Sequence, residues 1–209
     1  MRPGALRARL WAAGLWGFAL APAGLLLARA LGNRLGANPV EELMLELGQW
    51  ALRFLLLTLA ATAVRRLTGW TVLLRHRRLL GLTAASYALL HVLVYAVLDQ
   101  GLLWSQILGD VLKRPFITAG MAAFVLLLPL AASSFDAAIR RLGARRWQAL
   151  HRLVYVATAL ALLHFWWKVK ADTAEPAIYL AVFALLLAAR WLAPRHRSVR
   201  RPAAGRQPV

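Results

Sequence analysis

Long apolar runs, separated by short connections that hold most of the charge, organise this chain. Runs of roughly the ~20 residues that a helix needs to cross the hydrocarbon core of a bilayer fall at 10–31, 43–64, 79–98, 116–135, 149–167 and 174–192. They predict an all-α integral membrane protein, a six-transmembrane-helix bundle in which short connections make sequence neighbours antiparallel. Residues 1–193 form this domain, and the connections leave no room for a soluble one. The first run is too long for the core of a cleaved signal peptide and is expected to stay in the membrane. The tail, 194–209, is rich in Arg, Pro and Gly and has nothing to pack with. It is read as a solvated, mobile extension against the anionic inner leaflet. No short-period repeat is visible.

Charge then orients the bundle, because Lys and Arg near helix ends favour the cytoplasmic side. One side receives Arg2, Arg7 and Arg9, the cluster from Arg65 to Arg78, the cluster from Arg140 to Arg152, and the arginines from Arg190 onward, with Asp136 as the single acid. The other side mixes Arg29, Arg34, Lys113, Arg114, Lys168 and Lys170 with Glu41, Glu42, Glu46, Asp99, Asp110, Asp172 and Glu175. Both termini are therefore expected in the cytoplasm. A net charge of +18 on a soluble domain would suggest nucleic acid, but with 61% hydrophobic residues and cations clustered between apolar runs it reports topology, and membrane lipid replaces nucleic acid as the expected surroundings. The chain has no cysteine, which removes disulfides, iron–sulfur clusters, thiolate-ligated haem and thiol chemistry together.

Histidine remains as the main soft ligand, and a histidine inside a span is expensive enough to need a partner or a task. The stretch 147–170 carries His151 near its Arg-rich start and His164 near its Trp166–Trp167 end; the third span carries His91. His91 lies about seven residues, roughly 10 Å, inside the outer end of its helix, and His164 about four residues, roughly 6 Å, inside its own. Both helices run outward from the cytoplasm, so the two imidazoles share a depth, as two axial ligands of one b-type haem must. Ala88 and Ala84 precede His91 by one and two turns, and Ala161 and Ala157 stand likewise before His164. Small residues there leave room for a flat ring. They equally permit close helix packing, with the histidines hydrogen-bonded across the bundle or serving a proton relay.

His151 is thirteen residues before His164, about 20 Å nearer the cytoplasm and about 140° round a straight helix. It is a candidate ligand of a second, inner haem, but its partner is open: Arg77 falls about 40° from the His91 face and His76 about 60° on the other side. His76 also reads as a solvated loop residue, and His196 lies among tail arginines. Arg53, a cation inside the second span, needs an anion, and a haem propionate or a snorkelling path to headgroups would satisfy it. Lys113, Arg114, Lys168 and Lys170 could face propionates or a docking protein, or be solvated. The acidic cluster Glu41, Glu42, Glu46 suits a cationic partner or water equally well.

Several motifs together carry a family resemblance: Asn38-Pro39-Val40-Glu41-Glu42, Trp50-Ala51-Leu52-Arg53-Phe54, Leu80-Gly81-Leu82 through His91, the segment from Lys113-Arg114-Pro115 to Thr118-Ala119-Gly120, and Trp147-Gln148-Ala149-Leu150-His151 through Tyr155. Over essentially its whole length the chain resembles the MsrQ (formerly YedZ) family, within the ferric-reductase-like transmembrane group. The resemblance implies a bacterial inner-membrane b-type cytochrome subunit that carries electrons from the quinone pool, or from a cytoplasmic flavin reductase, to a periplasmic molybdopterin subunit. That partner reduces methionine sulfoxide in oxidised envelope proteins, so catalysis resides in the partner and not in this chain. The resemblance further implies FMN, although no Gly-rich phosphate loop is visible. Relatives with two haems have two histidines on each ligand helix, where this chain has Arg77.

Two other classes remain to be weighed against a cytochrome. A transmembrane ferric or metal reductase would normally carry a fused cytoplasmic domain for FAD and a nicotinamide nucleotide, for which the chain is too short. A histidine-relay transporter would bind no haem.

Overall fold

The computed structural model of the chain describes residues 3–192, with side chains over 9–192. The basic tail expected over 194–209 lies outside the described residues. Among these, helices account for nearly all of the chain and no strand occurs. In order they are α1 (Pro3–Leu31), α2 (Pro39–Thr68), the short α3 (Val72–Arg75), α4 (Arg77–Leu93), which continues into a π-helical turn (Val94–Asp99), α5 (Trp104–Lys113), α6 (Pro115–Ala132), α7 (Asp136–His151), α8 (Leu153–Lys168) and α9 (Ala174–Leu192). Six stretches are long and apolar enough to cross a membrane: Arg9–Leu31, Pro39–Thr68, Arg77–Asp99, Pro115–Ala132, Asp136–Lys168 and Ala174–Leu192. Five of the six runs expected from the sequence fall within one of them, and the run 116–135 extends three residues past the end of its span at Ala132.

Local chemistry sets the ends of α2. Asn38 accepts a hydrogen bond from the Glu41 backbone N–H, Pro39 occupies the first turn, where its missing N–H costs nothing, and Glu41 and Glu42 stand at the positive end of the helix dipole. The helix stops at Gly69, whose left-handed φ of 74° lets its N–H return to the Arg65 carbonyl.

Four helices form the centre. α2 packs against α4, α4 against α6, α6 against α8 and α8 back against α2, which closes a four-helix ring. The closest pairings are α2 with α4 and α6 with α8, two antiparallel hairpins laid side by side. In this ring α4 and α8 stand diagonally opposite. Leu80, Ala84, Ala157 and Thr158 are almost wholly buried, as is Phe54, whose ring packs against Phe18 of α1 and Tyr87 of α4. The buried hydroxyls of Thr58 and Thr158 return to their own helices, donating to the carbonyls of Phe54 and Val154 at 2.7 Å, so neither is left unsatisfied.

The outer helices are held by aromatic packing, such as Phe18 on Phe54 and Phe165 on Tyr179, and by polar contacts. α9 lies against α2 and α8, and α1 lies against α2. Inside α1, Pro22 interrupts the backbone ladder, and the hydroxyl of Tyr87 from α4 inserts beside it. That hydroxyl donates to the Ala19 carbonyl and accepts from the Ala23 N–H, both at 2.9 Å. One buried phenol thus replaces a helical hydrogen bond and anchors the first span.

Two regions depart from the sequence reading. Residues 104–113, expected as part of a connection, form α5, with Ile107 buried and Leu112 85% exposed. Ten residues are too few for a span, so a pattern sought over ~20 residues passes over it. Residues 136–148, also expected as a connection, lie in α7, an arginine-rich helix broken at Gly143 (φ 73°) that leads into the apolar α8.

Candidate functional site

The diagonal of the ring encloses a cavity of about 370 Å³, and both span histidines line it. His91 reaches it from α4 and His164 from α8, with ring centroids 6.1 Å apart and planes crossed at 80°. Each ring is fixed from behind by the neighbouring helix of its own hairpin. His91 Nδ1 lies 2.7 Å from the Met44 carbonyl of α2, and His164 Nδ1 lies 2.6 Å from the Phe116 carbonyl of α6. A carbonyl oxygen can only accept, so Nδ1 carries the proton in both rings and Nε2 keeps its lone pair.

The floor on which each ring rests is a glycine one turn beyond that carbonyl. A Cβ at Gly48 would meet His91 Nδ1 at 3.0 Å, and a Cβ at Gly120 would meet His164 Nδ1 at 2.6 Å. The two hairpins thus repeat one device: carbonyl, glycine four residues on, and histidine from the partner helix. The sequence reading missed Gly48 and named Gly120 only as part of a motif, without a role. The available signal is their spacing, since Gly48 to His91 and Gly120 to His164 differ by a single residue.

The rest of the lining is graded. Ala51, Leu52, Leu55, Ala123, Leu127 and Ala161 make one part apolar; Asn38, Glu41, Tyr95, Asp99, Arg114 and Lys168 make the other polar. Lys168 pairs with Glu41 at 3.7 Å, and Arg114 pairs with Asp110 at 3.1 Å, which also accepts from the Tyr95 hydroxyl at 3.1 Å. Of the four alanines expected to clear a slot, Ala88 and Ala161 line the cavity. Ala84 and Ala157 are instead fully buried, where they let helices approach closely.

Arg53 stands elsewhere. It does not line the cavity, and the anion expected in a propionate or a headgroup is supplied within the bundle by Glu175 at the start of α9, whose carboxylate lies 3.8 Å away. Arg53 also donates to the Tyr179 hydroxyl at 2.7 Å and to Gln49 Oε1 at 2.9 Å, and its guanidinium lies 4.7 Å from the Trp50 ring centroid. Gln49 in turn donates to Glu175 at 3.1 Å. The arginine finds its partners within the bundle and ties α9 to α2.

His151 and Arg77 do come together, at a second cavity of about 320 Å³ that shares only Leu55 and Leu127 with the first. Arg75 and Arg78 line it too, whereas His76, the residue between α3 and α4, does not. His151 is stacked on Trp147 with centroids 4.0 Å apart, and its Nε2 lies 3.1 Å from Ser133 Oγ. That hydroxyl donates to the Pro129 carbonyl at 2.6 Å, so Nε2 of His151 is the donor to it. Its proton therefore sits on the opposite nitrogen from those of His91 and His164.

Among the described residues no group of three or more His, Cys, Asp or Glu could hold a bare metal ion. A planar macrocycle supplies four donors itself and asks the protein for two, one on each face. The first cavity offers two imidazole lone pairs. The second offers one imidazole, whose Nε2 is engaged by Ser133, and arginines that have no lone pair to give.

The family described as ferric reductase like transmembrane component matches residues 47–162, most of both central hairpins, with His91 inside the matched range and His164 two residues beyond it. A protein of Rhodospirillum rubrum is 52% identical over 181 residues, 87% of this chain and 85% of its own length, and is named protein-methionine-sulfoxide reductase heme-binding subunit MsrQ. The chain belongs to the MsrQ family. Relatives of the same name in Ralstonia nicotianae (50% identity over 84% of this chain and 82% of theirs) and Brucella ovis (53% over 82% and 76%) show a like extent of similarity. No solved structure matches the chain. Membership in the MsrQ family makes this a multi-pass membrane protein of a reductase system, in agreement with its six membrane-competent helices.

Proposed function

We propose that the chain is the b-type cytochrome subunit of a methionine-sulfoxide reductase system, with His91 and His164 as the two axial ligands of one haem in the 370 Å³ cavity. One observation carries this reading: both rings are held by Nδ1–H bonds to backbone carbonyls, which turns the basic Nε2 atoms toward a common space. The ring centroids stand 6.1 Å apart. One metal held between the two rings would need them about this close together. The names borne by relatives at about half identity support the same cofactor.

When bound, haem supplies a one-electron ferric–ferrous couple. The chain supplies everything around it. The Met44 and Phe116 carbonyls fix the tautomers and raise the basicity of the two imidazoles. Ala51, Leu52, Leu55, Ala123 and Leu127 exclude water from the inner part of the cavity, which lowers the local dielectric. Arg114 and Lys168 mark the end nearest the acceptor. In the full reading both termini are cytoplasmic in a bacterial inner membrane, and electrons enter from quinone or a cytoplasmic flavin reductase. They leave to a periplasmic molybdopterin partner, which performs the reduction of methionine sulfoxide. FMN forms no part of this proposal.

The test is a reduced-minus-oxidised spectrum of the purified chain with a haem assay. The expected result is a b-type spectrum with one haem per chain. A chain expressed with ample haem that shows no haem absorbance would overturn the proposal.

A further inference from the structure

The second cavity has the position of an inner redox station but the chemistry of an anion site. Arg75, Arg77 and Arg78 line it, and no Asp or Glu does. Asp136 neutralises only Arg78, at 2.7 Å. Arg75 and Arg77 have no carboxylate partner among the described residues, while the opposite wall, Leu55, Leu127, Leu130 and Val154, is apolar. His151 is the one imidazole among the lining residues, with Trp147 stacked on its ring and Ser133 on its Nε2, so no second imidazole stands ready for the other face of a macrocycle. An uncompensated pair of arginines beside an apolar wall calls for an amphiphile with a negative head. The level in the bundle agrees: the arginine end of the cavity lies where the span Arg77–Asp99 begins, the level at which a helix meets lipid headgroups, while Leu55, Ala85 and Leu127 carry the cavity inward.

We propose that this cavity is a phosphate-binding site for the headgroup of an anionic phospholipid, gripped by Arg75 and Arg77, and that it holds no second haem. The guanidiniums take the phosphate oxygens as a planar fork. The apolar wall receives the glycerol and first methylenes. Arg78 stays with Asp136 and closes the rim. Trp147, whose indole donates to the Ser133 carbonyl at 2.9 Å, holds His151 as part of the wall.

The experiment uses the full chain, purified in detergent, delipidated and titrated with phosphatidylglycerol, phosphatidylcholine or inorganic phosphate while its thermal unfolding midpoint is followed. Phosphatidylglycerol is expected to raise the midpoint at near-stoichiometric amounts, with phosphatidylcholine and inorganic phosphate ineffective there. Arg75→Gln/Arg77→Gln is expected to weaken the phosphatidylglycerol response by about tenfold or more, the effect of losing charge-assisted hydrogen bonds. Arg140→Gln/Arg141→Gln removes the same charge outside the cavity and is expected to respond as the unaltered chain does. Circular dichroism and gel filtration establish that each variant is folded. Equal stabilisation by phosphatidylcholine, an unchanged response in the Arg75/Arg77 variant, or an equally weakened one in the Arg140/Arg141 variant overturns the proposal. So does inorganic phosphate acting at the same concentration, which assigns the site to the free ion. A haem assay separates this proposal from the first cavity's role: two haems per chain overturn the inner lipid site alone, whereas none overturns the cytochrome reading and leaves the lipid titration to decide this one.

Discussion

Gly120 lies so close beneath the imidazole of His164 that a Cβ in its place would stand 2.6 Å from Nδ1. No carbon can occupy that position beside a ring that is also bound to the Phe116 carbonyl. Gly120→Ala must therefore lift His164 off its rest. The expected outcome is loss of most bound haem with helix content retained, measured by absorbance and circular dichroism. Gly48→Ala, where the clearance is 3.0 Å, is expected to keep more haem than Gly120→Ala. Equal haem in all three chains would remove the glycines from the site.

The ligands themselves give a sharper outcome. His91→Ala and His164→Ala are each expected to abolish the b-type spectrum, because one remaining imidazole leaves one face of the ring without a protein donor. His151→Ala is expected to leave it in place, since that ring lines the other cavity. Full haem content and a bis-histidine spectrum in His164→Ala would refute the ligand assignment.

Tyr87 makes a separate prediction about the first span. Tyr87→Phe leaves the Ala19 carbonyl and the Ala23 N–H without the hydroxyl that joins them. Unsatisfied buried groups cost about 1–3 kcal/mol. The loss should appear as faster amide exchange in α1 around Pro22, with exchange in α6 and α8 unchanged. Uniform exchange across the chain would argue that α1 is held by other means.

Arg53 predicts a coupling. Arg53→Met removes the partner of Gln49, Tyr179 and Glu175 at once. Glu175 is itself half exposed and its pairing distance is 3.8 Å, so the ion pair adds little, and the bond to Tyr179 at 2.7 Å contributes more. Arg53→Met is expected to lower stability by about 1–3 kcal/mol. In a double-mutant cycle it should couple more strongly to Tyr179→Phe than to Glu175→Gln. The haem spectrum is expected to stay as it is, because Arg53 does not line that cavity.

Hydropathy made the six spans legible because lipid imposes one length and one polarity on every crossing helix. The depth of His91 and His164 was legible for the same reason, since helical rise converts residue number directly into height. Orientation about the helix axis was not. Ala84 and Ala88 look equivalent by spacing, yet one packs helices and the other faces the cavity, a difference set by which neighbour each helix meets. Arg53 shows the same limit: its partners Tyr179 and Glu175 lie more than 120 positions along the chain, and only the docking of α9 on α2 brings them near. Gly48 and Gly120 stand at nearly equal spacings before their histidines, but that spacing takes on a meaning only once a ring lies over each of them. α5 escaped because its apolar face spans ten residues rather than twenty.

Each central hairpin owns one histidine, one carbonyl that orients it and one glycine that seats it. Neither owns a site. The gap between the two Nε2 atoms is defined only when α2–α4 and α6–α8 stand in register, so the colour of the bound cofactor reports on tertiary docking rather than on helix formation. A lesion that slides one hairpin along the other by a fraction of a turn would bleach the protein while leaving every helix intact, and in such a molecule absorbance serves as a ruler laid between its two halves.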